Sequence, residues 1–271
     1  MSDEQTYLSK RGYSIVKTNY TSQFLNELRR DLTVKPFINS GYGAEASPFP
    51  VYAESKRKLY LPKFYGIKKL GMPKNIKLND GVEIDIDFPL SLKPKQEPIV
   101  DAYINAVKSN GGGGIISVPC GYGKTVLALY IAHKLKLKTL VVVHKEFLLN
   151  QWKERIKQFL PDATIGRIQA NKVDILGKDI VIGMLQSISM KEYPEGTFDQ
   201  FGFVIYDECH HLGAEVFSKA LLKTNCKYTL GLSATPKRAD GLSKVFECYL
   251  GPIVYSIKKR DKEDVNINMI Y

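Results

Sequence analysis

The chain has 271 residues, of which 44% are hydrophobic and 25% are charged, a composition typical of a globular protein and not of a long disordered segment. Lysine and arginine number 39 against 28 aspartates and glutamates, so the formal net charge is +11. A surplus of this size favours a polyanionic partner, either nucleic acid or an anionic membrane surface, although a merely basic protein without such a partner would also carry it.

Four cysteines without a C-x-x-C pair make a poor disulfide framework and a poor zinc framework. The first residues, MSDEQTY, are acidic and lack the apolar segment of a secretory signal. No apolar run approaches the length that spans a membrane. These features predict a soluble intracellular protein with reduced thiols and no membrane partner.

Residues 1–91 contain one clear helix signal, TSQFLNELRRDL, with Thr21 as a candidate N-cap. Proline-, glycine- and tyrosine-rich pieces such as KPFINSGYG and RKLYLPKFYG surround it and predict short antiparallel strands and turns. We therefore predict a small α+β amino-terminal domain whose boundary lies near residues 90–93.

The segment VEIDIDF alternates three acids, Glu83, Asp85 and Asp87, with apolar residues. A strand would place the three carboxylates on one face, because successive side chains of a strand point to opposite faces. A nuclease-like metal site is one interpretation of this pattern. A strand face exposed to solvent produces the same alternation without any ligand, and we prefer that interpretation.

From about residue 97 onward, predicted helices alternate with short apolar strands. The helix signals are QEPIVDAYINAVKS, KTVLALYIAHKL, EFLLNQWKERIKQFL and AEVFSKALLK. The strand signals are IISVP, TLVVV, ATIGRIQ, DIVIGML, FGFVIYDE, KYTLGLSA and PIVYSI. Continuous Val/Ile/Leu strands indicate burial on both faces. The pattern predicts an α/β fold in which helices cover both faces of a parallel sheet.

Residues 119–125, PCGYGKT, lie between an apolar strand and a helix, the context that a phosphate-binding loop requires. Two glycines allow backbone N–H groups to turn towards phosphate oxygens, and the helix adds the positive end of its dipole. Lys124 can reach the β- and γ-phosphates, and the Thr125 hydroxyl can bind Mg²⁺. The strict G-x-x-x-x-G-K-[ST] pattern fails at its first position, which is Val118. The predicted nucleotide-binding residues are Pro119, Cys120, Gly121, Tyr122, Gly123, Lys124 and Thr125.

A phosphate loop needs carboxylates on a neighbouring strand, one to hold Mg²⁺ and one to orient the attacking water. The strand VIYDE ends in Asp207 and Glu208, which supply both groups. We predict that Asp207 binds the metal and that Glu208 acts as general base, with Lys124 completing the catalytic set. The predicted cofactors are ATP and Mg²⁺.

Cys209, His210 and His211 follow directly and allow two other interpretations of this segment, a zinc site or a thiol nucleophile with its base. A zinc ion would need more distant ligands, and His133 and His144 lack ligand-like spacing. Directly successive residues cannot easily present a thiol and an imidazole to one substrate. The carboxylate pair is the stronger prediction, and no metal besides Mg²⁺ is expected.

Several segments, taken in order, resemble the motifs of superfamily 2 helicases and translocases. PCGYGKT resembles motif I, DECH resembles motif II, and Ser233-Ala234-Thr235 resembles motif III, while LKPKQ resembles the L-R-P-Y-Q start of the same motor domain. The XPB-like branch shares the run present here as GLSATPKRADGL, residues 231–242. Together with MLQSIS and PVYAESKRKLYLPKFYG, these motifs make about residues 50–255 similar to DNA helicases of large DNA viruses and phages. The resemblance implies a RecA-like P-loop NTPase lobe.

The resemblance also implies roles for individual residues. Gln96 would read the adenine edge, with Lys93 or Phe88 packing on the ring. The residues that would couple hydrolysis to movement are His210, His211, Ser233 and Thr235. The residues that would contact nucleic acid are His144, Lys145, Gln151, Gly166, Arg167, Gln186 and Ser187. Trp152, next to Gln151, is more typical of a core position, and Gln186 could instead cap a helix.

Motors of this superfamily have two RecA-like lobes, and the second lobe supplies arginines to the ATP between them. No Q-x-x-G-R-x-x-R pattern of a second lobe follows here. The resemblance therefore implies an accessory domain at residues 1–91, a first lobe at 92–256, and a linker at 257–271 towards a second lobe of the same protein. The tyrosine- and lysine-rich loops of residues 1–91, and not the resemblance, suggest that the accessory domain binds duplex DNA. This chain alone would bind ATP but hardly hydrolyse it.

The function implied is an ATP-dependent helicase or translocase acting on DNA, with RNA left open as the substrate. Two alternatives remain at this point: the motor part of a restriction enzyme, and a regulatory fragment that binds nucleic acid without catalysis. The viral resemblance adds the virion, the host nucleus or a viral replication site to the expected locations.

Overall fold

The computed structural model describes four ranges of the chain. The described residues are 6–35, 47–208, 214–234 and 243–257. Three of the predicted coupling residues, His210, His211 and Thr235, lie outside these ranges, and so does the predicted linker beyond residue 257. Within the described residues, no helix has both the length and the apolar character needed to cross a membrane.

The amino-terminal part forms a five-stranded sheet, a two-stranded pair and two helices. Its strands are β1 (Thr6–Ser9), β2 (Gly12–Val16), β3 (Thr33–Val34), β4 (Phe49–Pro50), β5 (Ala53–Glu54), β6 (Lys58–Leu61) and β7 (Asn75–Lys77), and its helices are α1 (Ser22–Asp31) and α2 (Lys63–Leu70). The sheet order is β5-β6-β2-β1-β7, antiparallel except for the β1–β7 pair. The predicted N-cap is confirmed, because the Thr21 side chain accepts a hydrogen bond from the backbone N–H of Phe24 at 3.3 Å.

Two predictions for this part are wrong in detail. RKLYLPKFYG contains a helix as well as a strand, since α2 begins directly after Pro62. VEIDIDF is not a strand of any sheet and makes one isolated bridge, between Glu83 and Leu137. Its alternation is nevertheless real, because Ile84 and Ile86 are buried and the three acids are exposed. The exposed acids agree with the interpretation that needs no metal.

The rest of the described chain forms an eight-stranded sheet with helices. The strands are β8 (Gly113–Ser117), β9 (Thr139–Val143), β10 (Ile165–Gln169), β11 (Lys172–Asp174), β12 (Ile180–Met184), β13 (Phe203–Tyr206), β14 (Tyr228–Ser233) and β15 (Ile253–Ser256). The helices are α3 (Glu97–Ser109), α4 (Lys124–Leu135), α5 (Glu146–Phe159), α6 (Leu185–Met190), α7 (Ala214–Lys223) and α8 (Ser243–Leu250). The sheet order is β11-β10-β12-β9-β13-β14-β8-β15, and all pairs are parallel except β10–β11.

Helices cover both faces of this sheet, as the sequence predicts. On β9, Leu140 and Val142 join the apolar cluster that includes α6, α7 and α8, whereas Val141 and Val143 join the cluster of α3, α4 and α5. This split explains why the strands read as continuous apolar runs, because each face of the strand is buried against a different layer. The helices α6 and α8 and the strand β11 were not predicted from the sequence.

The amino-terminal sheet packs on the α6–α8 side, where Leu8, Tyr13 and Ile15 belong to the same apolar cluster as Leu140 and Phe217. A buried lysine crosses this contact. Lys63, 1% exposed, donates from Nζ to the carbonyl oxygens of Lys227 at 2.8 Å and Cys226 at 3.2 Å. Burial lowers the pKa of Lys63 to about 8, because desolvation disfavours the charged amine.

Lys63→Met tests this buried amine through the pH dependence of stability. Because the pKa of Lys63 is about 8 when folded and about 10.4 in an unfolded chain, the unfolded state binds more protons between these values. The stability contribution of Lys63 should therefore rise as the pH increases from about 8, by up to about 1.4 kcal/mol per pH unit.

The measurement is urea unfolding of the wild type and of Lys63→Met at several pH values from 7 to 9.5. We expect the wild type to gain stability relative to the variant across the upper part of this range. A difference between the two proteins that stays constant with pH would contradict the lowered pKa.

Candidate nucleotide site and nucleic-acid edge

The parallel strands bring the predicted site residues to one end of the sheet. The phosphate loop follows β8, His144 follows β9, Gln186 follows β12 and Asp207 follows β13, while Ser233 closes β14. Because the carboxyl ends of parallel strands meet at the same end of a sheet, these loops are neighbours in space. We call this end of the sheet the carboxyl edge.

The phosphate loop has the backbone that its glycines predict. Gly121 and Gly123 have φ angles of +86° and +80°, in the region that side-chain-bearing residues rarely adopt. Helix α4 begins at Lys124, so its unpaired N–H groups and positive dipole end face the loop. A Cβ atom placed on Gly121 would meet no atom within 4 Å, which leaves room for a ligand beside the loop.

The two predicted carboxylates lie beside this loop. Asp207 is 6% exposed and is anchored by its backbone N–H, which donates to the carbonyl oxygen of Val142 at 3.1 Å. Glu208 has a φ of +49°, a conformation that is uncommon for a residue with a side chain and clusters at functional sites. Its Oε1 lies 2.9 Å from Nζ of Lys124. The lysine and the proposed base of the sequence analysis thus form one ion pair.

These residues line an open cleft of about 410 Å³, which we call the phosphate cleft. Its lining residues are Cys120, Gly121, Gly123, Lys124, Thr125, Val126, Leu148, Gln151, Arg155, Asp207 and Glu208. Three of them come from α5, where positions 148, 151 and 155 share one helical face. Leu148 and Arg155 were missed from the sequence, and Gln151 was predicted to contact nucleic acid. Their place in the cleft depends on how α5 is oriented over the sheet, which the sequence pattern does not reveal.

Trp152 has a second role besides the predicted core position. It is 1% exposed, and its indole Nε1 donates a hydrogen bond of 2.7 Å to Oδ2 of Asp207. Burial raises the pKa of the Asp207 carboxyl, and the Trp152 hydrogen bond opposes that shift by favouring the charged form. A carboxylate that is mostly buried is therefore kept in place by an aromatic donor.

Gln96 is attached to the phosphate loop. The side chain is 5% exposed, its Nε2 donates to the carbonyl oxygen of Tyr122 at 2.9 Å, and its Oε1 accepts from the backbone N–H of Lys93 at 3.0 Å. Phe88, which the resemblance offers as a partner for adenine, packs instead against Tyr130, with ring centroids 5.0 Å apart. These hydrogen bonds show that Gln96 stabilises the phosphate loop, and recognition of the adenine base by Gln96 stays a prediction.

Four of the predicted nucleic-acid residues lie at the carboxyl edge. The Gln186 side chain donates to the carbonyl oxygen of His144 at 3.2 Å, and Lys145 is the N-cap residue of α5. The Ser187 hydroxyl accepts from the backbone N–H of Ala170 at 2.9 Å, which ties the loop after β10 to α6. Loops after β9, β10 and β12 therefore form one surface beside the phosphate cleft.

Gly166 and Arg167 are placed differently. Gly166 pairs with Val181 near the beginning of β10, so it does not lie with the loops at the carboxyl edge. Packing explains the glycine, because a Cβ atom there would lie 2.1 Å from the carbonyl oxygen of Asp174. Arg167 is exposed within the same strand. Ser233 is buried at the end of β14, and its carbonyl oxygen accepts from the N–H of Val118 at 3.1 Å.

Comparisons with known proteins agree with this architecture. Residues 89–238 match the family described as type III restriction enzyme, res subunit, and the chain belongs to this family of superfamily 2 helicase domains. The chain is 36% identical over 273 residues to L396 of Acanthamoeba polyphaga mimivirus, named as a candidate ATP-dependent RNA helicase; the match covers 98% of this chain and 52% of that protein. It is 36% identical over 195 residues to the DNA 3'-5' translocase XPB2 of Sulfurisphaera tokodaii, covering 71% and 43%.

Among solved structures, the UvsW helicase from bacteriophage T4 matches with a TM-score of 0.59 at 18% identity, covering 87% of this chain and 94% of that one. This likeness confirms the predicted RecA-like α/β fold. The chain spans about half the length of the two curated relatives described above.

Gln96→Ala tests whether the glutamine supports the phosphate loop. Loss of its two hydrogen bonds should weaken binding of both ATP and GTP roughly three- to tenfold, because a typical neutral hydrogen bond contributes about 1 kcal/mol. Calorimetric titration with each nucleotide measures this effect. Gln200→Ala is the matched control, since Gln200 accepts a hydrogen bond from Lys138 at 2.8 Å away from the phosphate cleft.

An unchanged affinity for GTP in Gln96→Ala would contradict the supporting role. If only ATP binding then weakened, base reading would be the function of this side chain.

Proposed function

We propose that this chain is the ATP-binding part of a DNA-dependent helicase or translocase, in which ATP hydrolysis drives movement along a strand. One observation carries the proposal: Lys124, Thr125, Asp207 and Glu208 line a single cleft at the end of a parallel sheet, beside a glycine loop and a helix N-terminus. A scaffold that only binds a partner has no need of all four groups. The family membership supports the same reading.

The residues of the phosphate cleft fit a magnesium nucleotide. Mg²⁺ prefers oxygen ligands, and Thr125 and Asp207, which carry a hydroxyl and a carboxylate, both line the cleft. When bound, the ion would neutralise phosphate charge. Lys124 and the backbone N–H groups of the loop would hold the β- and γ-phosphates, as in other phosphate loops.

Glu208 is the proposed general base. Its carboxylate orients a water molecule and accepts the proton that the water loses as it attacks the γ-phosphate. The ion pair between Glu208 and Lys124 keeps the two groups at the same point of the cleft. A γ-phosphate bound by Lys124 would compete for this pair and release the carboxylate towards water.

Nucleic acid is the proposed partner of the carboxyl edge. The net charge of +11 favours a polyanion. Loop backbone, Lys145 and Ser187 offer contacts to phosphates that carry no base information, which suits a protein that moves along a strand. One relative is named as a DNA translocase and another as a candidate RNA helicase, and we propose DNA.

A second RecA-like lobe is the other proposed partner. The matches cover 52% of L396 and 43% of XPB2, so both relatives contain further sequence. An arginine from a second lobe would stabilise charge on the transferring phosphoryl group. Such arginines accelerate phosphoryl transfer by about 10³–10⁵ in other systems. Slow turnover by the chain alone follows from this proposal. Because viral proteins are among the relatives, we propose that it acts inside an infected cell.

ATP hydrolysis by this chain, with and without single-stranded DNA, duplex DNA and RNA at low salt, tests the function. We expect nucleotide binding with slow turnover, raised more by DNA than by RNA. In the longer protein with its proposed second lobe, Glu208→Gln should lower turnover by at least 100-fold and leave ATP affinity within about threefold, because it removes the base and keeps the shape of the side chain.

Unchanged turnover in Glu208→Gln would sink the assignment of the base. Cleavage of DNA with Mg²⁺ present would favour the motor of a restriction enzyme. Failure to bind any nucleotide would favour a regulatory fragment.

We also propose that the amino-terminal sheet binds duplex DNA. One of its faces carries two tyrosines, each beside a cation: Lys77 Nζ lies 4.8 Å from the ring centre of Tyr7, and the Arg11 guanidinium lies 5.2 Å from that of Tyr60. Tyr7 of β1 lies opposite Ser14 of β2, and Ser14 lies opposite Tyr60 of β6. Directly opposed residues point to the same side of a sheet, so the two tyrosines share one face. Lys58 donates to the Tyr7 hydroxyl at 2.9 Å.

The double variant Arg11→Ala/Lys77→Ala tests this face. Each lost phosphate contact should lower the slope of log affinity against log salt by about 1, and duplex binding at low salt should weaken about tenfold. Fluorescence anisotropy with a labelled 20-base-pair duplex measures both quantities.

Lys108→Ala/Lys134→Ala is the matched control, because it removes two exposed lysines from α3 and α4. An equal loss of DNA affinity in both double variants would show that only the net charge of the protein matters. That result would refute a specific binding face.

A further inference from the structure

Trp152, the single tryptophan of the chain, lies at the junction of the nucleotide cleft and the carboxyl edge. The indole N–H and the carboxylate of Asp207 meet at 2.7 Å, and both side chains are more than nine-tenths buried. Such a contact between a neutral donor and a charged acceptor is stronger than an ordinary hydrogen bond. The indole binds Oδ2 of Asp207 and does not bind the other carboxylate oxygen, Oδ1.

We propose that Trp152 is a positioning residue, which fixes the orientation of the Asp207 carboxylate and thereby tunes the Mg²⁺-dependent part of nucleotide binding. This inference rests on the function proposed above. A carboxylate attached through a single rotatable bond to Cβ would otherwise be free to rotate within its pocket. Holding one oxygen on a rigid indole directs the other, and a metal ligand held in advance loses less freedom when the ion binds.

The contact also connects two regions of the lobe. Helix α5 begins beside the carboxyl edge, with Lys145 as N-cap residue and with the neighbouring carbonyl of His144 accepting from Gln186. Trp152 follows seven residues later, roughly 10 Å along the helix, and reaches the Mg²⁺-site carboxylate. On α5, Gln151 lines the phosphate cleft directly. Any displacement of α5 at the carboxyl edge therefore moves the donor that holds Asp207.

Trp152→Phe tests the proposal, because it removes the N–H donor and retains an aromatic ring. The readout is the affinity for a fluorescent ADP analogue, measured with Mg²⁺ and with EDTA. In the wild type, Mg²⁺ should tighten binding. In Trp152→Phe this gain should shrink about tenfold, the size expected for one hydrogen bond to a charged group, while the affinity in EDTA stays within about twofold.

Tyr103→Phe is the matched control. Tyr103 is fully buried and its hydroxyl donates to the carbonyl oxygen of Thr229 at 2.8 Å, so the variant also loses one buried hydrogen bond, but away from the cleft. It should keep the full Mg²⁺ gain. Thermal unfolding of both variants shows whether any difference merely follows stability.

A Mg²⁺ gain that survives in Trp152→Phe would overturn this inference and leave the proposed function standing. No Mg²⁺ gain in the wild type would overturn both. A second measurement needs no variant. Mg²⁺ titrated into the ADP-bound wild type should change the fluorescence emission of its single tryptophan, at the same Mg²⁺ concentrations that tighten binding of the ADP analogue. Constant emission would count against the contact between indole and metal site.

Discussion

The candidate site depends on the parallel pairing of β8, β14, β13, β9 and β12, because this pairing alone brings loops distant in sequence to one end of the sheet. Hydrogen bonds across neighbouring strands hold its chemical groups: the Asp207 N–H donates to Val142, and the Ser233 carbonyl accepts from Val118. Side chains alternate between the two faces of a strand, so a slip of one residue in β13 would move Asp207 to the wrong face. Register is therefore a functional constraint in this lobe.

Burial and charge oppose each other in the phosphate cleft. Desolvation of the buried Asp207 carboxyl raises its pKa, whereas Glu208 and Lys124 form an ion pair in which a fifth or less of each side chain is exposed. The buried carboxylate accepts a hydrogen bond from a neutral donor, Trp152. A cation in the position of the indole would neutralise the charge that attracts Mg²⁺, so an indole is a suitable partner for the proposed metal ligand.

The features that could be predicted from the sequence are those encoded locally. The glycine loop with Lys124 and the acids that end β13 each lie in one short segment, and continuous apolar strands indicated the parallel sheet. Roles that arise between segments were missed: Arg155 in the cleft, Trp152 on Asp207, and the attachment of Gln96 to Tyr122. VEIDIDF gave a false strand, because its backbone bonds to loops, with the N–H of Ile84 donating to Lys136. Helix α6 has six residues, too few for a periodic pattern.

The division of the chain at residues 91 and 92 stays a prediction, and the packing gives it a mechanical meaning. Tyr13 and Ile15 share an apolar cluster with Leu140 of the larger sheet, and Lys63 donates to the backbone just before β14. A contact with a shared core and a buried amine resists sliding more than a polar domain interface does. If the amino-terminal face grips a duplex as proposed, the duplex is held at a fixed position relative to the carboxyl edge. Movement would then arise between this unit and the proposed second lobe, and not within the unit itself.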